Sequence, residues 1–219
     1  SSTKVICSWH QGTAPLGLHC VCLSISGSTV SSGSVVRLGG TVSTADTDTV
    51  ALSSSKFMTT WKEPSNGTDI KGIIGTVSGT TITKGTEQTI HDTASSGGFR
   101  HFLELLTSSS VVFVVGDGNA VKTRYITISG TVMTINAETT IFAVANGYKS
   151  LAYISATQTA LAYTDNTTVD TMNIKSNRFC IDFDNSLLSF IGIKSPVKFG
   201  KIASLQPGWL VVMTGFPHA

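Results

Sequence analysis

Along most of the chain, apolar and β-branched residues alternate with polar ones in short runs, and Ser-Gly, Asn-Gly or Asp-Gly pairs break the runs. Alternation of period two places every second side chain on one face of an extended strand, so the pattern predicts strands joined by tight turns. Three runs align on a shared Ser-Gly: "SISGSTV" at 24–30, "TVSGTTI" at 76–82 and "TISGTVM" at 127–133. Their anchors, Gly27, Gly79 and Gly130, stand 52 and then 51 residues apart. Glycine takes a positive φ without steric cost, so each anchor predicts a hairpin turn. A weaker fourth copy, "NIKSNRFCI" at 173–181, offers Asn177 for the same turn, because Asn tolerates the left-handed region.

A second strand precedes each anchor: "KVICSW" at 4–9, "KFMTTW" at 56–61, "VVFVVG" at 111–116 and "TALAYT" at 159–164. A polar turn follows each of these, then a strand into the Ser-Gly hairpin. A third run, "DTVALSS" at 48–54, "RHFLELLT" at 100–107 and "KSLAYIS" at 149–155, comes ahead of the later copies and not ahead of the first. The leucines of "RHFLELLT" also suit a short helix; the alignment of the copies favours a strand.

The repeating unit is therefore about four short strands in roughly 50 residues, the size of one blade of a β-propeller. The expected fold is all-β, a propeller-like array of about four such units over residues 1–183. The first unit is entered midway. Either the ring closes by pairing N-terminal with C-terminal strands, or Ser1 follows a boundary that removed earlier repeats. Residues 184–219 depart from the repeat, with "LLSFIGI" and "WLVVMTG" as strands around a "QPG" turn. They are expected to form a small C-terminal β module or closing strands.

Composition narrows the function. Charged residues make up 13% of the chain and the net formal charge is +2, too little to neutralise a row of phosphates, so nucleic acid is not expected as a partner. No uncharged apolar run approaches the roughly 20 residues that cross a bilayer as a helix, and membrane insertion is not expected. Twenty-one glycines and a Ser/Thr-rich, weakly charged surface are typical of extracellular or particle-borne β proteins.

These residues resemble a known group. Repeats such as "GTVSGTTIT", preceded by a strand and a polar loop such as "AYTDNTT", are similar to propeller-like repeats in tail-fibre and other virion-associated proteins of bacteriophages. The C-terminal "FIGI" segment with its later glycines is similar to a short β module of phage structural proteins. The resemblance implies a structural or host-attachment role in a virion or outside the cell. It implies other particle subunits or further repeats as partners, a homo-oligomer, and no catalytic set. A propeller lectin that binds surface glycans is the alternative.

Candidate chemistry is sparse. Trp9, Trp61 and Tyr163 hold equivalent places in three copies, and each offers either a packed core residue or a flat face for a sugar ring. Trp209 has no assigned place. Cys7, Cys20, Cys22 and Cys180, near His10 and His19, leave open buried thiols, a cross-strand disulfide or a metal; the spacing does not match a paired-Cys zinc knuckle. No "GxSxG" elbow is present, and His10, His19, His91, His101 and His218 lack an acid partner at motif spacing. A glycosidase needs two carboxylates across a groove, and the Asp-box of sialidase propellers is missing. "GDGNA" at 116–120 lacks the spaced acids of a calcium loop and reads as a turn. "SNGT" at 65–68 and "DNTT" at 165–168 carry glycosylation acceptor patterns. No enzymatic activity, cofactor or metal is expected.

Overall fold

The computed structural model describes residues 3–11, 16–40, 45–63, 69–92, 101–117, 120–142, 149–156, 158–163 and 179–182. The described residues are all-β: strands arranged in several antiparallel sheets, joined by turns and without helix. The first sheet joins β1 (Thr3–Gln11), β2 (Gly17–Ser26) and β3 (Thr29–Ser32), with β4 (Val36–Gly39) also on β2. The second runs β5 (Ala45–Ser53), β6 (Lys56–Glu63), β7 (Asp69–Ser78), β8 (Thr81–Lys84), with β9 (Gln88–His91) on β7. The third repeats that order with β10 (His101–Thr107), β11 (Ser110–Asp117), β12 (Ala120–Ser129), β13 (Val132–Ile135) and β14 (Thr139–Phe142). The fourth joins β15 (Lys149–Ser155), β16 (Gln158–Tyr163) and β17 (Phe179–Asp182). "RHFLELLT" is thus strand and not helix from His101 onward; Leu103 and Leu106 are buried while Glu104 is half-buried.

Each Ser-Gly turn is a two-residue hairpin. Gly27, Gly79 and Gly130 have φ of 58°, 59° and 60°, and the residue after each is not in the positive-φ region. Positive φ at the first central position alone is the signature of a type II′ turn, whose twist matches the flanking strands. The registers repeat too, with Ser26↔Thr29, Ser78↔Thr81 and Ser129↔Val132 closing the three hairpins.

In the first three sheets the outer strand is broken in two, which the hydrophobic pattern did not anticipate. β8 pairs with the distal half of β7 and β9 with its proximal half, and the same split recurs on β2 and β12. Gly33 and Gly85 mark the break, their N–H groups donating to Cys22 O at 2.9 Å and Ile74 O at 2.8 Å. The break admits the hairpin of the following unit. A Cβ on Gly33 would lie 2.1 Å from the Thr80 carbonyl oxygen, and one on Gly85 would lie 3.1 Å from Thr131 Cβ. Thr80 and Thr131 follow the turn glycines of the second and third units, so one contact is made twice. Gln88 reinforces the second instance: its amide donates to Met133 O at 3.1 Å and accepts from Met133 N at 3.0 Å.

The chain divides into two compact units, residues 1–101 with 126–136, and residues 102–125 with 137–219. In the first, the core stacks the first sheet on the second: Leu18, Cys20, Cys22 and Leu38 meet Phe57, Trp61, Ile73, Val77 and Ile82. Strand β6 is buried on both faces, hence its nearly continuous burial where a one-faced strand would alternate. In the second unit Leu106, Val112, Val114, Val121, Ile141 and Leu161 form the core, with Tyr125 and Leu151 packed against it.

The fourth repeat differs from expectation. β17 pairs with β16 through Leu161↔Phe179 to Gln158↔Asp182, the position that β2, β7 and β12 hold ahead of their turns. Asn177, itself outside the described residues, therefore precedes that strand instead of making the turn after it. Residues 184–219, expected as a C-terminal module, lie outside the described residues.

Candidate functional site

The three aromatics do not share one environment. Register makes Trp61 and Tyr163 equivalent: Trp61 pairs with Thr47 and Tyr163 with Lys149, each five residues past its hairpin contact, Ser53↔Lys56 or Ser155↔Gln158. Both hairpins carry a register shift at the same point, between Ala51/Ser53 and between Tyr153/Ser155. Trp61 has 0% exposure and sits in the core between the first two sheets, so its ring faces no solvent. Its ring lies against Gly39, where a Cβ would meet Cζ2 at 2.4 Å, and the buried Nε1 has no hydrogen-bond partner. Trp9 is half-buried and stacks on His19 with centroids 6.0 Å apart and planes 24° apart. The Tyr163 side chain lies outside the described residues.

The pleat explains the difference between the tryptophans. Trp9 pairs with His19 and Cys7 with Val21, so these share one face of the first sheet. Ile6, Ser8, Cys20 and Cys22 share the other, which is the face against the second sheet. Trp61 points into that interface; Trp9 points away from it.

The same register decides much of the cysteine question. Cys7 lies on the opposite face from Cys20 and Cys22, so no cross-strand disulfide joins them, and all three are free thiols. Burial, with the neighbouring Cys22 second, pushes the Cys20 thiol up to about 12. Among the described residues no group of three or more His, Cys, Asp or Glu is placed to hold a metal ion. The Cys180 side chain is outside the described residues.

Charged side chains gather at one end of the second sheet. Glu63 and Asp69 are direct cross-strand partners, both largely buried, and Lys71 Nζ stands 3.3 Å from Asp69 Oδ2 and 2.6 Å from Thr89 Oγ1. Glu87 lies nearby, its carboxyl raised by burial and by Glu63, with Lys71, Lys84 and the Gly40 N–H opposing the shift. In the third sheet Lys122 meets Asp117 at 2.5 Å and Glu138 at 3.0 Å, and Arg124 meets Glu138 at 3.2 Å. Lys71 and Lys122 both stand eight residues before a turn glycine, and Glu87 and Glu138 eight after one. A lysine–glutamate arrangement recurring with the repeat period is an architectural feature of the unit. Its spacing from the turn glycines is countable in the sequence, but which side chains meet follows only from the register of the outer strand.

Two clefts open in the first unit. One, of about 360 Å³, lies between β4 and the β8–β9 break and carries Arg37, Lys84 and Glu87; the Arg37 guanidinium donates to the Gly40 carbonyl. The other, of about 800 Å³, runs beside β1 over β5. Of the remaining candidates, His101 is buried, and burial lowers its pKa to about 4 against the opposing pull of Asp46. Asp117 of "GDGNA" is engaged by Lys122. "SNGT", "DNTT", Trp209 and His218 lie outside the described residues.

No protein family, no curated protein and no solved structure matches this chain.

Proposed function

We propose that the chain is a non-enzymatic structural or host-attachment component of a phage-like particle, built as a propeller-like array of about four β units. The observation that carries this reading is the interlock of successive units, Gly33 on Thr80 and Gly85 on Thr131. Sequence is spent on fitting one unit to the next, as an assembly part requires. The Ser/Thr-rich, weakly charged surface and the likeness of the Ser-Gly repeats to tail-fibre sequences support the same role. Its partners are then other particle subunits, and its place is the virion or the extracellular space.

A second reading, a glycan-binding propeller lectin, is favoured by the half-buried Trp9–His19 stack, a flat aromatic surface next to solvent. Intact mass and light scattering on protein from its native source, together with a glycan array, separate the two. Chains held in large assemblies with a blank array support the particle role. Small, discrete species whose glycan binding disappears in Trp9→Ala replace it with the lectin.

A further inference from the structure

The first sheet is apolar on both faces. One face carries Leu18, Cys20, Cys22 and Leu38 and packs on the second sheet. Register places Val5, Cys7 and Trp9 of β1 on the opposite face together with Val21, Leu23 and Ile25 of β2, and the pair Ile25↔Val30 extends it to β3. Val5 and Val30 are 38% and 59% exposed, and the other five are half-buried. An antiparallel sheet with one solvated face alternates apolar and polar side chains, and β1 and β2 do not. The second sheet shows what covers such a face. An offset of 52 residues, the spacing of Gly27 and Gly79, carries Val5 to Phe57, Trp9 to Trp61, Val21 to Ile73, Ile25 to Val77 and Val30 to Ile82. Those five counterparts all lie in the core between the first two sheets, none more than 8% exposed. Volume is matched as well as polarity. Phe57 lies over its cross-strand partner Gly75, where a Cβ would stand 2.2 Å from Cζ, and the equivalent pair Val5↔Leu23 divides the bulk the other way. Close packing against a neighbour demands such compensation and solvent does not.

We propose that this face of the first sheet packs on the same face of a second copy of the chain, about a two-fold axis. The interface is continuous in kind with the one already built between the first two sheets, one β unit laid face to face on another. The face that covers Phe57, Trp61 and Ile73 in that interface is occupied in every copy by its own second sheet, so a second copy brings its own uncovered face, and the contact is isologous. Charge suits this. Among the described residues the face carries no acid, and its one cation, Arg37, stands beside His19 at the end away from Val5 and Val30, so the centre closes without an unpaired charge. With strands about 4.8 Å apart and about 3.3 Å of rise per residue, the face measures roughly 400 Å², the size at which exposed apolar patches mark interaction sites. Two such faces bury on the order of 1,000 Å², enough for a weak, concentration-dependent dimer. The inference rests on the face-to-face stacking of β units and not on the particle role, so either can fail without the other.

The test is sedimentation velocity with light scattering on the purified full-length chain at about 1–200 μM, a range that brackets a micromolar Kd. The parent should pass from monomer to dimer across it. Val5→Lys combined with Val30→Lys should weaken the dimer by roughly tenfold or more, since each lysine would bury an unpaired charge, while the melting curve of the dilute protein stays that of the parent. Ser31→Lys, on the other face of β3, should leave the dimer intact. A readout on the unmodified protein needs no variant: the rate at which a thiol reagent modifies Cys7 should fall as the dimer fills. A parent monomeric throughout the range overturns the proposal, as does a dimer indifferent to the two lysines. Species that grow beyond the dimer also overturn it, by showing a head-to-tail contact, and so does Cys7 reactivity that is independent of concentration, by showing that the chain covers this face itself or that the contact lies elsewhere.

Discussion

Replacing Gly33 by Ala tests the interlock between units at its tightest point. The added Cβ would stand 2.1 Å from the Thr80 carbonyl oxygen and 3.0 Å from its carbon. That oxygen belongs to the backbone of a type II′ hairpin, so no side chain can swing aside and the hairpin itself must move. Overpacking of this kind costs about 1–3 kcal/mol. The Gly33 N–H···O=C Cys22 hydrogen bond, 2.9 Å long, is strained by the same shift and adds about 1 kcal/mol. At about 2–4 °C per kcal/mol for a chain of this length, the melting midpoint should fall by roughly 4–16 °C. Ser28→Ala is the control, an exposed substitution at the neighbouring turn position. It should change stability by less than ~0.5 kcal/mol. Circular dichroism during thermal and urea unfolding reads both variants. A Gly33→Ala protein within ~0.5 kcal/mol of the parent would refute the interlock.

Trp61→Ala should lose about 3–5 kcal/mol by leaving a cavity between the first two sheets, while Trp9→Ala loses about 1 kcal/mol or less; urea midpoints compare them. Because His101 is held neutral, with its folded pKa lowered to about 4, the unfolded chain takes up the proton first. Stability should therefore fall as pH drops below about 6.5 and go on falling to about 4, by roughly 3 kcal/mol in all, and His101→Gln should flatten that slope in urea titrations across pH. Under native conditions a thiol reagent should modify Cys7 well before Cys20 or Cys22, read by peptide mass; fast reaction at Cys20 would contradict its burial. Gln88→Ala removes two hydrogen bonds to Met133 and should cost about 1–3 kcal/mol, with Gln88→Glu keeping only the acceptor.

The repeat was legible because turn chemistry is local. Only glycine is cheap at a φ near 60°, so Gly27, Gly79 and Gly130 announced their hairpins and the period of the units. The alternating runs between them gave the all-β class by the same local rule. The broken outer strand was not legible. Gly33 and Gly85 have ordinary φ and owe their identity to Thr80 and Thr131 about 46 residues further on, a contact that no window of sequence displays. Asn136, at the same place in the third unit, carries a side chain where those two positions admit none, which hid the pattern further.

Among the candidate residues, equivalence misled. Trp9 and Trp61 match in sequence, but only Trp61 lies on a sheet with another sheet stacked against that face, and burial follows from this neighbour. The cysteines show the reverse: the parity of Cys7 against Cys20 and Cys22 was undefined until the register Cys7↔Val21 was known. A one-residue slip would have put all three on one face.

The most direct test of the particle role is to fractionate material from the native source on a density gradient and probe each fraction with an antibody raised against this chain. The account predicts the chain at the density of intact particles, with gold-labelled antibody on their surface by electron microscopy. Recovery of the chain only as free protein at the top of the gradient, with unlabelled particles below, would contradict it.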